Sequence, residues 1–180
     1  MLLRKINAIL SIACTVLILD HAIFLSVWML SRCSIAKEEN VMPIILMILV
    51  ILHAIISIIL GILGHKNAEK RKCNEYPKLN VSTILQRVSG ILMLLLLGLH
   101  IVGASNYYQP KILHAVLHPL FFAIVLAHVA VSVSKAMITL GIGNAKVVKI
   151  VDVVMKVICI ATFIACITGF YLCLFVGVAK

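Results

Sequence analysis

The stretch from Gln86 to His100, QRVSGILMLLLLGLH, decides the fold class. It begins with polar and cationic residues, continues as an apolar run, and ends at a lone histidine. A helix in a water-soluble core needs one apolar stripe, whereas this stretch is apolar on every face and requires apolar surroundings on all sides. An ionisable imidazole in such a segment is costly, which makes His100 a candidate functional residue.

The composition of the whole chain leads to the same conclusion. Hydrophobic residues make up 63% of the 180 residues, more than a soluble domain of this size could bury. The excess must face lipid, so we predict an all-α integral membrane protein. The net charge of +10 would suit nucleic acid. We expect no nucleic-acid partner, because the basic residues lie between apolar runs, where they set topology.

Five apolar runs predict a bundle of five transmembrane helices within one domain, residues 1–180. Each run reaches the roughly 20 residues that a spanning helix needs. The connections are short, so sequence neighbours should be antiparallel. The predicted helices cover roughly 6–31, 41–64, 83–105, 116–141 and 150–178.

The basic residues predict the orientation. Most of them fall on one side of the predicted bundle, and this bias places the N-terminus in the cytoplasm and the C-terminus outside. We therefore expect a multi-pass protein of the inner (cytoplasmic) membrane. The side rich in Lys and Arg carries Arg4, Lys5, Lys66, Lys70, Arg71, Lys72, Lys78, Arg87, Lys135, Lys146, Lys149 and Lys156.

Four of the seven histidines lie one per helix within the first four apolar runs: His21, His53, His100 and His128. Their depths follow from the rise of about 1.5 Å per residue. His21 lies roughly 22 Å beyond Ile6 and His100 roughly 25 Å beyond Thr83, which puts both in the outer half. His53 lies roughly 16 Å short of Gly64 and His128 roughly 20 Å short of Gly141, both nearer the cytoplasm. The histidines therefore sort into two pairs at two depths.

Paired imidazoles in a bundle core suit the ligation of haem b by two histidines. We predict an outer haem iron bound by His21 and His100, and an inner haem iron bound by His53 and His128. Alternatively, each histidine hydrogen-bonds to a neighbouring helix. Small residues beside the histidines, such as Gly98 and Ala127, would help admit a large flat group.

Arg87 is the candidate for binding a haem propionate or a soluble partner, because it lies where the third helix enters the membrane. A propionate favours a charge-assisted hydrogen bond at the interface. Alternatively, Arg87 snorkels to the interface and only contributes to topology.

The chain resembles a known family, the cytochrome b membrane-anchor subunits of succinate dehydrogenases and fumarate reductases, in their five-helix, two-haem form. The resemblance covers nearly the whole chain and rests on four weak motifs in the family's order. These are His21 in the first helix; His53 with Gly61, Asn67, Ala68, Lys70 and Arg71; Arg87, Ser89, Gly90 and His100; and His128, Ser132, Ser134, Thr139, Leu140 and Gly141.

The resemblance implies a function and partners. A flavoprotein subunit would interconvert fumarate and succinate, and an iron–sulfur subunit would dock on the basic face. This chain would pass electrons between them and a quinone, with menaquinone as the expected one, and would not itself act on the dicarboxylate. We expect the quinone near the outer haem, and leave open a higher oligomer. The candidate wall residues are Asp20, Glu38, Glu39, Asn106, Tyr107, His114 and His118.

Two other functions fit the sequence. One is the cytochrome b subunit of another membrane oxidoreductase, a hydrogenase or a formate dehydrogenase, which would share the haems and differ in its soluble partner. The other is a haem-free membrane anchor or transporter. An absorption spectrum separates the haem-free alternative from both cytochromes.

Overall fold

The computed structural model of the chain describes residues 2–32, 41–70, 81–105 and 111–175, and it confirms the all-α class. Five helices make up these segments, and no strand occurs in them. They are α1 (Leu2–Arg32), α2 (Val41–Lys70), α3 (Val81–Ser105), α4 (Lys111–Leu140) and α5 (Ala145–Phe175).

All five helices are long and apolar enough to cross a membrane. Their apolar side chains are widely exposed; Leu95 on α3 keeps 67% of its surface and Val157 on α5 keeps 61%. Water would penalise such faces heavily, whereas lipid does not, so the exposed faces are those expected of a bundle within a bilayer. The prediction of five membrane-spanning helices is therefore confirmed.

The helices α1, α4 and α5 pack against one another, α2 packs on α1, and α3 packs on α4. Hydrogen bonds fix the directions. Asn7, near the start of α1, bonds to Ser57 in the second half of α2. Lys135, near the end of α4, bonds to Ser82 at the start of α3. Helices α1 and α2 are thus antiparallel, and so are α3 and α4; the bond from Ser134 on α4 to Asp152 on α5 shows the same for α4 and α5. We call the end where α1 begins the basic end.

The parallel pair α1 and α5 is held by a close approach at Gly169. A Cβ atom on Gly169 would lie 3.1 Å from Cβ of Met29 and 3.3 Å from the backbone oxygen of Ser26. Ser26 is 1% exposed, and its Oγ lies 3.0 Å from Sγ of Cys166. Small residues and hydroxyl groups are what membrane helices use at interfaces, because hydrophobicity alone does not drive them together in lipid.

The turn between α4 and α5 follows from Gly141 and Gly143, which both have a positive φ, and from Asn144. Gly141 adopts a positive φ of 73° and ends α4 in a Schellman motif, in which the N–H of Ile142 donates to the carbonyl of Met137. Asn144 then caps α5, because its Oδ1 accepts the N–H of Val147. This turn makes α5 begin five residues before the apolar run predicted it.

Helix α4 begins at Lys111 and not at the predicted 116. A start at 116 would put Pro119 in the first turn, whereas the structure places it inside the helix. This placement corrects the sequence interpretation. A proline has no N–H, and so it leaves the carbonyl four residues earlier, that of Ala115, without its helical hydrogen bond. The hydroxyl of Tyr171 on α5 donates to the Ala115 carbonyl at 3.0 Å. This hydrogen bond takes the place of the one that Pro119 cannot donate.

Tyr171→Phe is therefore expected to lower the free energy of unfolding by about 0.5–1.5 kcal/mol, the usual worth of a hydrogen bond between membrane helices. Reversible unfolding in mixed detergent micelles measures it. Pro119→Ala is the matched background, because the new N–H at position 119 can take the Ala115 carbonyl. In that background Tyr171→Phe should cost much less; an equal cost in both would contradict this account.

Candidate histidine site

The structure brings the four predicted histidines together in two groups at two levels. His100 on α3 interacts electrostatically with His21 on α1. His128 on α4 interacts in the same way with His53 on α2. Each pair joins two helices that are not among the extensively packed pairs of the described bundle. The pairs therefore span the two diagonals of the four-helix arrangement α2–α1–α4–α3. The depth estimates predict only which two histidines share a level.

A third imidazole, that of His118, belongs to the group farther from the basic end. The ring centroids of His100 and His118 are 5.4 Å apart, and His118 stacks on Phe170 of α5 at 5.2 Å. His100 itself stacks on Phe121 at 4.6 Å. Aromatic faces hold both imidazoles in apolar surroundings while their ring edges carry the nitrogens.

The group nearer the basic end is anchored by hydrogen bonds to His128. Nδ1 of His128 lies 3.1 Å from the backbone oxygen of Gln86 and 3.0 Å from Oγ of Ser89. A carbonyl oxygen only accepts, so Nδ1 carries the proton and donates to it. The Nε2 atom then holds a lone pair, which is the tautomer that a metal-binding histidine requires.

Gly90 allows α3 to approach this ring. A Cβ atom at position 90 would lie 3.2 Å from Cε1 of His128, whereas a Cβ atom at Gly98, on the same helix, would meet no atom within 4 Å. His128 cannot move away freely, because Gln86 and Ser89 hold its Nδ1. The two glycines thus differ in what surrounds them.

Gly90→Ala is expected to destabilise the protein by about 1–3 kcal/mol, the usual cost of overpacking. Gly98→Ala, compared in the haem-free protein, is the matched control and should be neutral or slightly stabilising, because no atom lies within 4 Å of the new Cβ and alanine is the better helix former. Unfolding of both variants in mixed micelles gives the comparison. Equal effects of the two substitutions would show that the contact between Gly90 and His128 does not constrain the site.

Two buried nitrogens of the histidine pairs lack a hydrogen bond to any residue that the structure describes. Nδ1 of His53 and Nδ1 of His100 are buried and have no hydrogen-bond partner within the described part of the chain. The His53 ring does interact with the backbone of Asn7. Buried polar atoms are nearly always paired, and a histidine that binds a metal through Nε2 still needs a partner at Nδ1, so these two Nδ1 atoms do not by themselves identify haem. The donor set of two imidazoles per pair does fit haem b.

Lys135 is the cation that lies beside His128, in the group nearer the basic end. Its Nζ donates to the backbone oxygen of Ser82 at 2.9 Å, to Oγ1 of Thr83 at 3.3 Å and to Oε1 of Gln86 at 3.0 Å. It also interacts electrostatically with His128. Arg87 is exposed on α3, and its role toward a propionate stays a prediction.

Sequence reasoning missed Lys135 as a neighbour of His128 and His118 as a neighbour of His100. The position of Lys135 could have been predicted from the sequence, because Lys135 follows His128 by seven residues, which is two helical turns and places both on one face. The second depends on how α3 and α4 are rotated against each other, which no local pattern gives.

The predicted quinone-wall residues fall in different places. His118 lies beside His100, whereas Asp20 is exposed on α1. Position 114 lies in α4, but the side chain of His114 is outside the described part. Glu38, Glu39, Asn106 and Tyr107 also lie outside it.

No family model matches this chain, and no curated protein or solved structure shows significant similarity to it. Within the described segments, no group of three or more His, Cys, Asp and Glu side chains could hold a metal ion. Ligation of haem iron by a pair of histidines does not need such a group. The resemblance to the cytochrome b anchors therefore stays a prediction from motifs.

Proposed function

We propose that this chain is a diheme cytochrome b membrane anchor of a succinate:quinone oxidoreductase, passing electrons between a quinone and an iron–sulfur subunit. The observation that carries the proposal is the pairing of four intramembrane histidines at two levels, His21 with His100 and His53 with His128. Isolated histidines in membrane helices are costly. Four of them, paired across two diagonals of one bundle, are most simply explained by two shared ligands.

Different residues of the chain would bind the two haem irons, orient the ligands and attract the propionates. A haem, when bound, supplies one-electron transfer. His128 keeps Nε2 available because its Nδ1 proton is held by Gln86 and Ser89. Phe121 orients the His100 ring by stacking. Lys135 and Arg87 put positive charge at the basic end, where they would attract anionic propionates.

We also propose the partners, from the charge at the two ends of the bundle. A soluble iron–sulfur subunit, with its flavoprotein, would dock on the basic end, which faces the cytoplasm in the proposed orientation. The quinone would bind toward the opposite end, next to the group of His21, His100 and His118. His118 is a titratable side chain at that level, and proton-coupled quinone chemistry needs one within hydrogen-bond reach.

Reduction by a quinol tests the quinone part of the proposal. The purified full chain in lipid nanodiscs is mixed with a short-chain menaquinol, and the absorption in the α-band region is followed. We expect reduced cytochrome bands to appear, and His118→Ala to slow their appearance while leaving reduction by dithionite unchanged. Bands that appear with dithionite but never with a quinol would favour a cytochrome b with another electron donor.

A further inference from the structure

Asp20 is a carboxylate on the exposed side of a membrane-spanning helix. It lies in the span from Leu2 to Ser31, roughly 27 Å along α1 from Leu2. Its neighbour His21 is partly buried, whereas Asp20 is exposed. No hydrogen bond or ion pair joins the Asp20 carboxylate to another side chain in the described segments. The histidine groups described above do not use it.

The residues on either side of Asp20 form a regular exposed stripe. Exposed fractions are 60% for Val16, 47% for Ile23 and 60% for Val27. Together with Asp20 and Leu30 these positions are spaced by four, three, four and three residues, which we call the Asp20 seam. Such alternating spacing is the pattern by which a second helix packs along the first at a small crossing angle.

We propose that the Asp20 seam binds a transmembrane helix of another protein that carries a lysine or arginine at the depth of Asp20. A lone carboxylate among lipid chains is unfavourable, and an opposite charge in that low-dielectric setting is its most effective partner. The apolar residues of the seam would supply the packing, and the ion pair would supply the register.

A second copy of this chain is a poorer match for the seam. Among the exposed cations in the described segments, Lys156 lies deepest, and it is already paired with Asp152. It lies only roughly 16 Å along α5 from Ala145, against roughly 27 Å along α1 for Asp20. Charge complementarity therefore favours a different protein. The inference does not depend on haem or on the proposed function.

The test uses synthetic transmembrane helices as probes. Donor-labelled full-length protein is placed in phosphatidylcholine vesicles with an acceptor-labelled leucine-rich helix that has one central lysine. A control helix has leucine in its place. We expect the lysine helix to bind on the order of tenfold more tightly than the control, as measured by energy transfer.

Variants at Asp20 locate the binding. Asp20→Asn should abolish the preference for the lysine helix, and Asp20→Glu should keep it. The double variant Asp20→Asn with Ile164→Asp moves a carboxylate to an exposed position on α5, roughly 28 Å from Ala145, and should not restore binding.

Three results would overturn the proposal. The first is a lysine helix that binds no better than the control or binds Asp20→Asn equally well. The second is full binding by the double variant, which would show that any lone carboxylate suffices. The third is energy transfer between wild-type copies that Asp20→Asn removes, which would assign the seam to self-association.

Discussion

Replacing His53 with alanine is expected to remove one of two haems b and to leave the other. His53 interacts electrostatically with His128, and this interaction is separate from the group around His100. Loss of one of the two histidines should therefore prevent haem binding only at the pair nearer the basic end. The measurement is haem per chain, from the reduced spectrum and the protein concentration of the purified variant.

Matched variants make this result specific to the ligand. Leu52→Ala removes a lipid-exposed side chain, 44% exposed, one residue away and should keep both haems. His21→Ala should remove the other haem, and the double variant His21→Ala with His53→Ala should remove both. Two haems per chain in His53→Ala would refute the assignment. Loss of a haem in His118→Ala, but not in His21→Ala, would make His118 the partner of His100.

Turnover of the assembled complex in vesicles is expected to depend on the membrane potential. If the quinone binds toward the outside and the iron–sulfur subunit toward the cytoplasm, electrons cross most of the bilayer. Each electron that crosses a full potential changes free energy by about 2.3 kcal/mol per 100 mV, roughly fiftyfold in equilibrium. A potential negative on the cytoplasmic side should then oppose fumarate reduction by quinol and favour succinate oxidation by quinone.

The control for this experiment is an ionophore that collapses the potential, together with a pH dye inside the vesicles. Collapse of the potential should speed up fumarate reduction by quinol and slow succinate oxidation by quinone. Turnover that ignores the potential, with no proton crossing detected by the dye, would place the quinone beside the cytoplasmic partner. The histidine pair farther from the basic end would then have no part in the route.

Hydropathy predicted the helices but not where they end. The run of apolar residues gives the part in lipid, whereas α1 begins at Leu2 and α2 continues to Lys70 through polar and charged residues. Such residues form helix well outside the apolar layer. Within α4, the hydroxyl of Tyr171 replaces the hydrogen bond lost at Pro119 from 56 residues away in the chain. No local pattern contains that contact.

Which histidines share a level was predictable, because depth follows from the helical rise alone; that each pair holds a haem stays a prediction. The faces and neighbours of the histidines were not predictable, because they depend on the rotation and order of the helices. The position of His118 beside His100 and the reach of Lys135 to the start of α3 both come from the packing of α3 on α4. The exposure of Asp20 next to the partly buried His21 was in principle readable, since consecutive helical residues point in different directions.

The central claim, that four histidines hold two haems b, is tested most directly by the absorption spectrum of the purified chain. Reduction by dithionite should give a Soret band and an α band typical of haem b with two histidine ligands. Quantification should give two haems per chain. A purified, folded chain with no Soret or α band after reduction would contradict the claim and leave a haem-free membrane protein.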